Sequence, residues 1–205
     1  MKLMLVTFAV AIGLFTPSIS FAGSGDISMI AKSVKGQQKS EVIPWGTYDS
    51  GAFTWDLRAN FDWTDTFGAF VGKSFKVGSI TINPEIGLIW GQQYKAVSPE
   101  FMSYGGKGAF FWVALNQVAL GSGKDRPNFA YHWVEARYKF DKYNVELGAG
   151  EQVYYEWTSP GADPLLDIGP VLKVNGPSQM YAKAWWTRNP ETGTEKFFLT
   201  IGKGF

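Results

Sequence analysis

Phe197-Phe198-Leu199-Thr200-Ile201-Gly202-Lys203-Gly204-Phe205, the last stretch of the chain, alternates in character and stops on an aromatic. Phe197, Leu199, Ile201 and Phe205 share one face, while Thr200, Gly202 and Gly204 share the other. Successive side chains of a strand point to opposite faces, so one face here is greasy and the other small or polar. A strand that closes a barrel, with lipid outside and a packed or wet lumen inside, reads this way. Lys203 interrupts the apolar face.

The same period of two recurs upstream. Residues 51–61 set Gly51, Phe53, Trp55, Leu57, Ala59 and Phe61 against Thr54, Asp56, Arg58 and Asn60. Residues 80–92 set Ile80, Ile82, Pro84, Ile86, Leu88 and Trp90 against Thr81, Asn83, Glu85, Gly87 and Gly91. Residues 143–157 set Tyr143, Val145, Leu147, Ala149, Val153, Tyr155 and Trp157 against Asn144, Glu146, Gly148, Gly150, Gln152 and Glu156. Alternation of this length exceeds an ordinary soluble strand and matches a tilted membrane strand. At about 3.3 Å per residue and a tilt near 40°, Tyr143 and Tyr155 are roughly 30 Å apart along the membrane normal. That is the spacing of two aromatic rows at the edges of an apolar band.

Shorter alternating stretches lie at 65–77, 130–140, 166–174 and 179–188, with 26–34 and 108–120 as further candidates. The expected architecture is an all-β, antiparallel transmembrane barrel of ten strands, with eight or twelve as the alternatives. Asp141-Lys142 and Asn175-Gly176-Pro177-Ser178 read as tight hairpin turns. Residues 36–50, 93–107, 120–128, 158–165 and 189–195 read as longer connections. Pro84 and Pro170 sit awkwardly in this scheme, because a closed ladder has no edge on which to hide a missing N–H.

Met1-Lys2, an apolar run from Leu3 to Phe15, a break at Thr16-Pro17-Ser18 and small residues before Gly23 form a secretory signal peptide, cleaved between Ala22 and Gly23. Residues 23–205 are then one barrel domain. The leader holds one Lys and no acid, so the remainder balances 18 bases against 18 acids. A neutral chain has no long-range attraction for nucleic acid. With no Cys, there is no disulfide framework.

Taken together, the leader, the strands and the terminal Phe205 make the chain resemble the Gram-negative outer-membrane β-barrel class; Lys203 departs from its ending, where an apolar residue is usual. The resemblance is to the class and to no particular family within it. It implies residence in the bacterial outer membrane, lipid as the surrounding partner and a C-terminal strand read by the barrel assembly machinery.

Charge gathers on the face turned away from lipid: Asp56, Arg58, Glu85, Glu135, Arg137, Glu146, Asp167, Lys173 and Lys183. Charges in such a place are paired or hydrated. They form an internal network filling a narrow barrel, or a lining that filters a permeating solute. Trp90, Tyr143, Tyr155, Trp157, Trp186 and Phe205 are the candidates for the aromatic girdle. Enzymatic chemistry has little to work with: His132 is the single histidine, Trp133 and Val134 follow it, and no GxSxG or HExxH spacing occurs. No cofactor and no metal is expected. The function expected is a small porin-like channel for small solutes. The alternatives are a closed structural or binding barrel that works through its outer loops, and a lipid-modifying barrel enzyme.

Overall fold

The alternating stretches pair edge to edge into one sheet that closes on itself. The computed structural model describes residues 23–37, 40–61, 65–92, 94–122, 128–157 and 164–205. The expected leader, with Ala22 at its end, lies outside the described residues. The strands are β1 (Ser24–Val34), β2 (Glu41–Asp49), β3 (Thr54–Ala59), β4 (Thr66–Gly72), β5 (Phe75–Val77), β6 (Ile80–Gly91), β7 (Lys95–Lys107), β8 (Phe110–Ser122), β9 (Phe129–Phe140), β10 (Val145–Glu156), β11 (Leu165–Asn175), β12 (Met180–Arg188) and β13 (Glu195–Gly204). Apart from β4 and β5, each pairs antiparallel with its sequence neighbours, and β1 pairs with β13 to close the ring. β4 and β5 both pair with β6, and Phe75↔Ile82 continues the register of Gly72↔Glu85. They are one interrupted stave, so the barrel has twelve.

Twelve corrects the expectation of ten. The two added staves, β2 and β7, lie in 36–50 and 93–107, which their prolines and polar residues make look like connections. Both alternate once the inner side is known: Ile43 and Trp45 in β2 point inward, as do Ala96, Ser98 and Glu100 in β7.

Four prolines decide where the ladders lapse. Pro44, Pro84, Pro99 and Pro170 each keep register with one neighbour, at Met29, Phe101, Ile86 and Ala149. On the other side pairing stops, because proline has no N–H to donate. The gaps fall between Gly72 and Phe75, between Val97 and Glu100 on the β8 side, and between Ile168 and Val171 on the β12 side. The β2–β3 ladder begins at Trp45, one residue past Pro44. Opposite Pro99 the register places Val118, and there Ser98 Oγ donates to the Val118 carbonyl at 2.9 Å. Gln117 Nε2 donates to Ser98 Oγ at 3.0 Å. A hydroxyl thus replaces the missing amide in a wall where water is scarce. Ser98→Ala is expected to cost about 1–3 kcal/mol, the penalty of an orphaned buried acceptor. A urea titration of the refolded protein reads this, and Ser98→Thr should lose less.

The start of β1, the end of β13 and the short turns share one rim, the rim of the described termini. Phe205 and Gly25 exchange both backbone hydrogen bonds, at 2.8 and 3.0 Å, and Phe205 stacks on Tyr48. Connections at this rim span 50–53, 78–79, 108–109, 141–144 and 176–179. Asn144 closes one of them in the left-handed conformation, at φ 52°. Lys203 lies here too, in register with Ile27 and Met180, where a lysine can carry its ammonium to the headgroups.

The outer wall is an apolar band, with Leu57, Ile86, Leu88, Leu147, Leu172, Leu199 and Ile201 all exposed. Inside, Phe70, Ile89, Tyr94, Ala96, Ala119 and Phe129 form a packed core along the β4–β9 side. Gly87 is required beneath it, since a Cβ there would collide with the Phe70 ring. The fill is one-sided, which leaves the cavities toward the β1, β2 and β9–β13 side.

Candidate functional site: the lumen

Alternation alone turns the polar set inward, and the tilt of neighbouring strands decides which of those side chains meet. Two clusters result. In the first, Arg58 of β3 pairs with Glu100 of β7, both side chains fully buried. The guanidinium carbon lies 4.1 Å from the centre of the Phe70 ring and 4.5 Å from that of Phe61. Trp45 Nε1 donates to Asp56 at 2.7 Å. Asp56, Glu85 and Glu100 bring carboxylate oxygens within 4.8 Å of one another. They are the described residues arranged to hold a cation, and Arg58 already supplies a positive charge beside them.

The second cluster is centred on Arg137. Its Nη1 lies 2.7 Å from Glu135 and its Nε 3.1 Å from Glu146. Lys183 reaches Glu135 at 2.9 Å, Lys173 reaches Glu146 at 3.7 Å, and Asn175 donates to Glu146 at 2.8 Å. Nearer the termini, Tyr181 donates to Asp26 at 2.9 Å. Gly202 makes room for that phenol, because a Cβ there would overlap the ring. Asp167 stands apart, toward the opposite rim, and takes Lys196 at 2.5 Å and Gln152 Nε2 at 2.9 Å.

All nine charged residues expected inside are therefore turned inward, but in separate groups. The sequence reading missed Glu100, Asp26, Lys196 and Lys32. Glu100 was hidden in a segment read as a connection. Lys196 would have emerged by extending the last strand one residue upstream, where it shares the Phe198–Thr200 face.

A cavity of about 430 Å³ occupies the end away from the termini. Its charges are nearly matched: Lys32 pairs with Glu41 at 2.8 Å and Lys196 with Asp167, while Glu156, which accepts from the Tyr154 hydroxyl at 2.9 Å, adds one further carboxylate. Phe61, Tyr131, Tyr154 and Phe198 supply aromatic surface. Ile43, Phe61, Tyr131, Gln152 and Phe198 also border a second cavity of about 60 Å³, with Trp45, Trp133 and Trp185 around it. Trp185 stacks on Phe198 at 5.1 Å, and Trp45 lies 6.4 Å from Trp133. The lumen thus narrows from a polar chamber to an aromatic bottleneck.

Outside, Trp90, Tyr143, Tyr155, Trp157, Trp186 and Phe205 are all exposed. Tyr143 and Phe205 lie at the rim holding the termini, and Trp90, Tyr155, Trp157 and Trp186 lie toward the other. His132 also faces outward, away from the acids of the lumen, against Asn116 and Glu151.

The sequence matches no protein-family model and no curated protein. Solved structures do match. The KdgM porin in complex with disordered oligogalacturonate is similar over 88% of this chain and 99% of that one, with a TM-score of 0.63 at 9% identity. The KdgM porin by itself gives 0.61 at the same identity and coverage. OmpTdeltaL8, a loop deletion mutant of an outer membrane protein of Vibrio cholerae, gives 0.53 at 7% identity over 90% of this chain and 100% of that one. At such identities the likeness is one of fold. That fold, with its outward apolar band, is the fold of the bacterial outer-membrane β-barrels.

Proposed function

We propose that this protein is a porin-like channel for small polar solutes across the outer membrane. The observation that carries the reading is the adjacency of the 430 Å³ chamber and the smaller cavity among the tryptophans, which share Ile43, Phe61, Tyr131, Gln152 and Phe198 as walls. Pairing of Lys32 with Glu41 and of Lys196 with Asp167 leaves Glu156 as the one carboxylate in excess, so the chamber is only weakly acidic. Such a lining suits uncharged or weakly charged solutes, unlike a lining of one sign, which selects by charge. The nine inward charges serve first as a network holding the staves together and second as a lining of the path. The outward aromatics seat the band at the headgroup levels, and β13 with the Phe205 that follows it is the segment the assembly machinery reads. The reaction of an enzyme finds little support, since His132 is on the outer wall.

The narrowness of the bottleneck favours one other reading, a closed barrel acting through its outer connections. Refolded protein in planar bilayers separates the two. Discrete conductance steps are expected, with a reversal potential in a KCl gradient that shows at most a weak preference for the cation. Absence of current would leave the closed barrel, and strong anion selectivity would overturn the nearly matched lining.

A further inference from the structure

The outer wall holds one cluster that lipid cannot satisfy. Asn116 of β8, His132 of β9 and Glu151 of β10 lie side by side on adjacent staves, facing outward. His132 Nδ1 is 2.7 Å from Asn116 Oδ1, and Nε2 is 3.7 Å from Glu151. The His132 and Glu151 side chains remain 38% and 42% exposed. Elsewhere at this depth the described outward side chains are apolar or small.

Their depth is what makes them costly. Glu151 sits four residues before Tyr155, on the same face of β10. Asn116 likewise sits four residues before Leu120, which is apolar and exposed. At about 3.3 Å per residue and a tilt near 40°, four residues place both roughly 10 Å inside the band. Carboxylate and amide groups there need partners that acyl chains do not offer. The three side chains satisfy one another only in part: both amide hydrogens of Asn116 and the second oxygen of Glu151 remain to be matched.

The surrounding wall is shaped for a protein neighbour. Pro99, Phe101, Val118, Val153 and Tyr155 border a depression of about 390 Å³ beside Asn116 and His132. Toward the rim of the described termini Ala136 is paired against Ala149, with Ala114 one stave away and the Trp112 ring beside them. Small residues let two surfaces approach closely within a membrane.

We propose that the β8–β10 wall is a self-association face, and that a second copy of this chain covers it. Rotation about the membrane normal preserves depth, so Glu151 of one copy meets the His132–Asn116 pair of the other at the same level. One patch carries both the donors and the acceptor, which is the condition for a symmetric contact. An anionic lipid headgroup suits it poorly, because Glu151 would repel it and the cluster lies below the headgroup level.

The natural absence of Cys makes single-cysteine reporters clean. Ala136→Cys, on β9 where the axis of that contact lies, in the otherwise unchanged protein reconstituted in vesicles and treated with a thiol oxidant, is expected to give a disulfide-linked dimer. Leu57→Cys, on β3 across the barrel, should give none. Asn116→Leu, His132→Leu and Glu151→Leu combined should turn the detergent-solubilised oligomer, sized by analytical ultracentrifugation, into a monomer. The same protein should keep the heat-modifiable gel mobility of a folded barrel. A wild-type monomer at every detergent ratio, equal crosslinking from both walls, or a monomer carrying one retained lipid in native mass spectrometry would each overturn the proposal. Crosslinking does not depend on whether the lumen conducts, so its failure and that of the channel reading are separable.

Discussion

Arg58→Ala should be the most destabilising single substitution in the barrel, at about 3–5 kcal/mol, the cost of stripping one partner from a buried pair. Arg58 and Glu100 are both fully buried. Asp56 and Glu85 bring two more carboxylates to the same place, so removing the guanidinium leaves three acids crowded in a poorly hydrated wall. The ring faces of Phe61 and Phe70 lose their cation as well, worth about 0.5–2 kcal/mol. Arg58→Lys should fall between, because an ammonium keeps the charge but not the planar stacking. Arg137→Ala is the comparison. Glu135 retains Lys183, and Glu146 retains Lys173 and Asn175, so its loss should be smaller. Urea titrations followed by tryptophan fluorescence in refolding vesicles give the order, and a reversed order would refute the division into these two clusters.

The second large effect concerns passage. Trp185→Ala should raise single-channel conductance several-fold. The Trp185 indole lies across the inner face of Gly150, stacked on Phe198, and borders the 60 Å³ bottleneck with Trp45 and Trp133. Its removal joins the upper chamber to the lower lumen. Trp186→Ala is the matched control, since its neighbouring side chain points to lipid; it should leave conductance unchanged. An equal change from both substitutions, or none from Trp185→Ala in a conducting protein, would place the constriction elsewhere. The barrel should survive the loss of the indole, because its closed ladder does not depend on that packing.

Legibility differed between the two faces of the wall. The outer face was largely visible in the alternation of 51–61, 80–92, 143–157 and 197–205, because lipid demands apolar side chains at every second position. The two faces of the last strand and the inward turn of Arg58, Arg137 and Glu146 follow from that rule. β2 and β7 were not visible. Pro44 and Pro99 look like breakers in a linear reading, and only neighbouring strands show that each proline disturbs one side of its ladder. The Ser98 hydroxyl that covers Val118 is likewise a cross-strand arrangement with no local signature. His132 shows the converse: the alternation of β9 already placed it opposite Trp133 and Glu135, yet its meaning depended on Asn116 and Glu151 standing beside it.

By itself the sequence determined the fold class and the two-faced character of each strand, since period-two alternation is a local property imposed by the solvent on either side. Strand number, the separation of the charges into the Arg58 and Arg137 clusters, and the narrowing at Trp45, Trp133 and Trp185 were decided only in the tertiary structure. Those features arise from stagger and tilt between staves distant in the chain, and a period of two carries no information about which inward residue meets which.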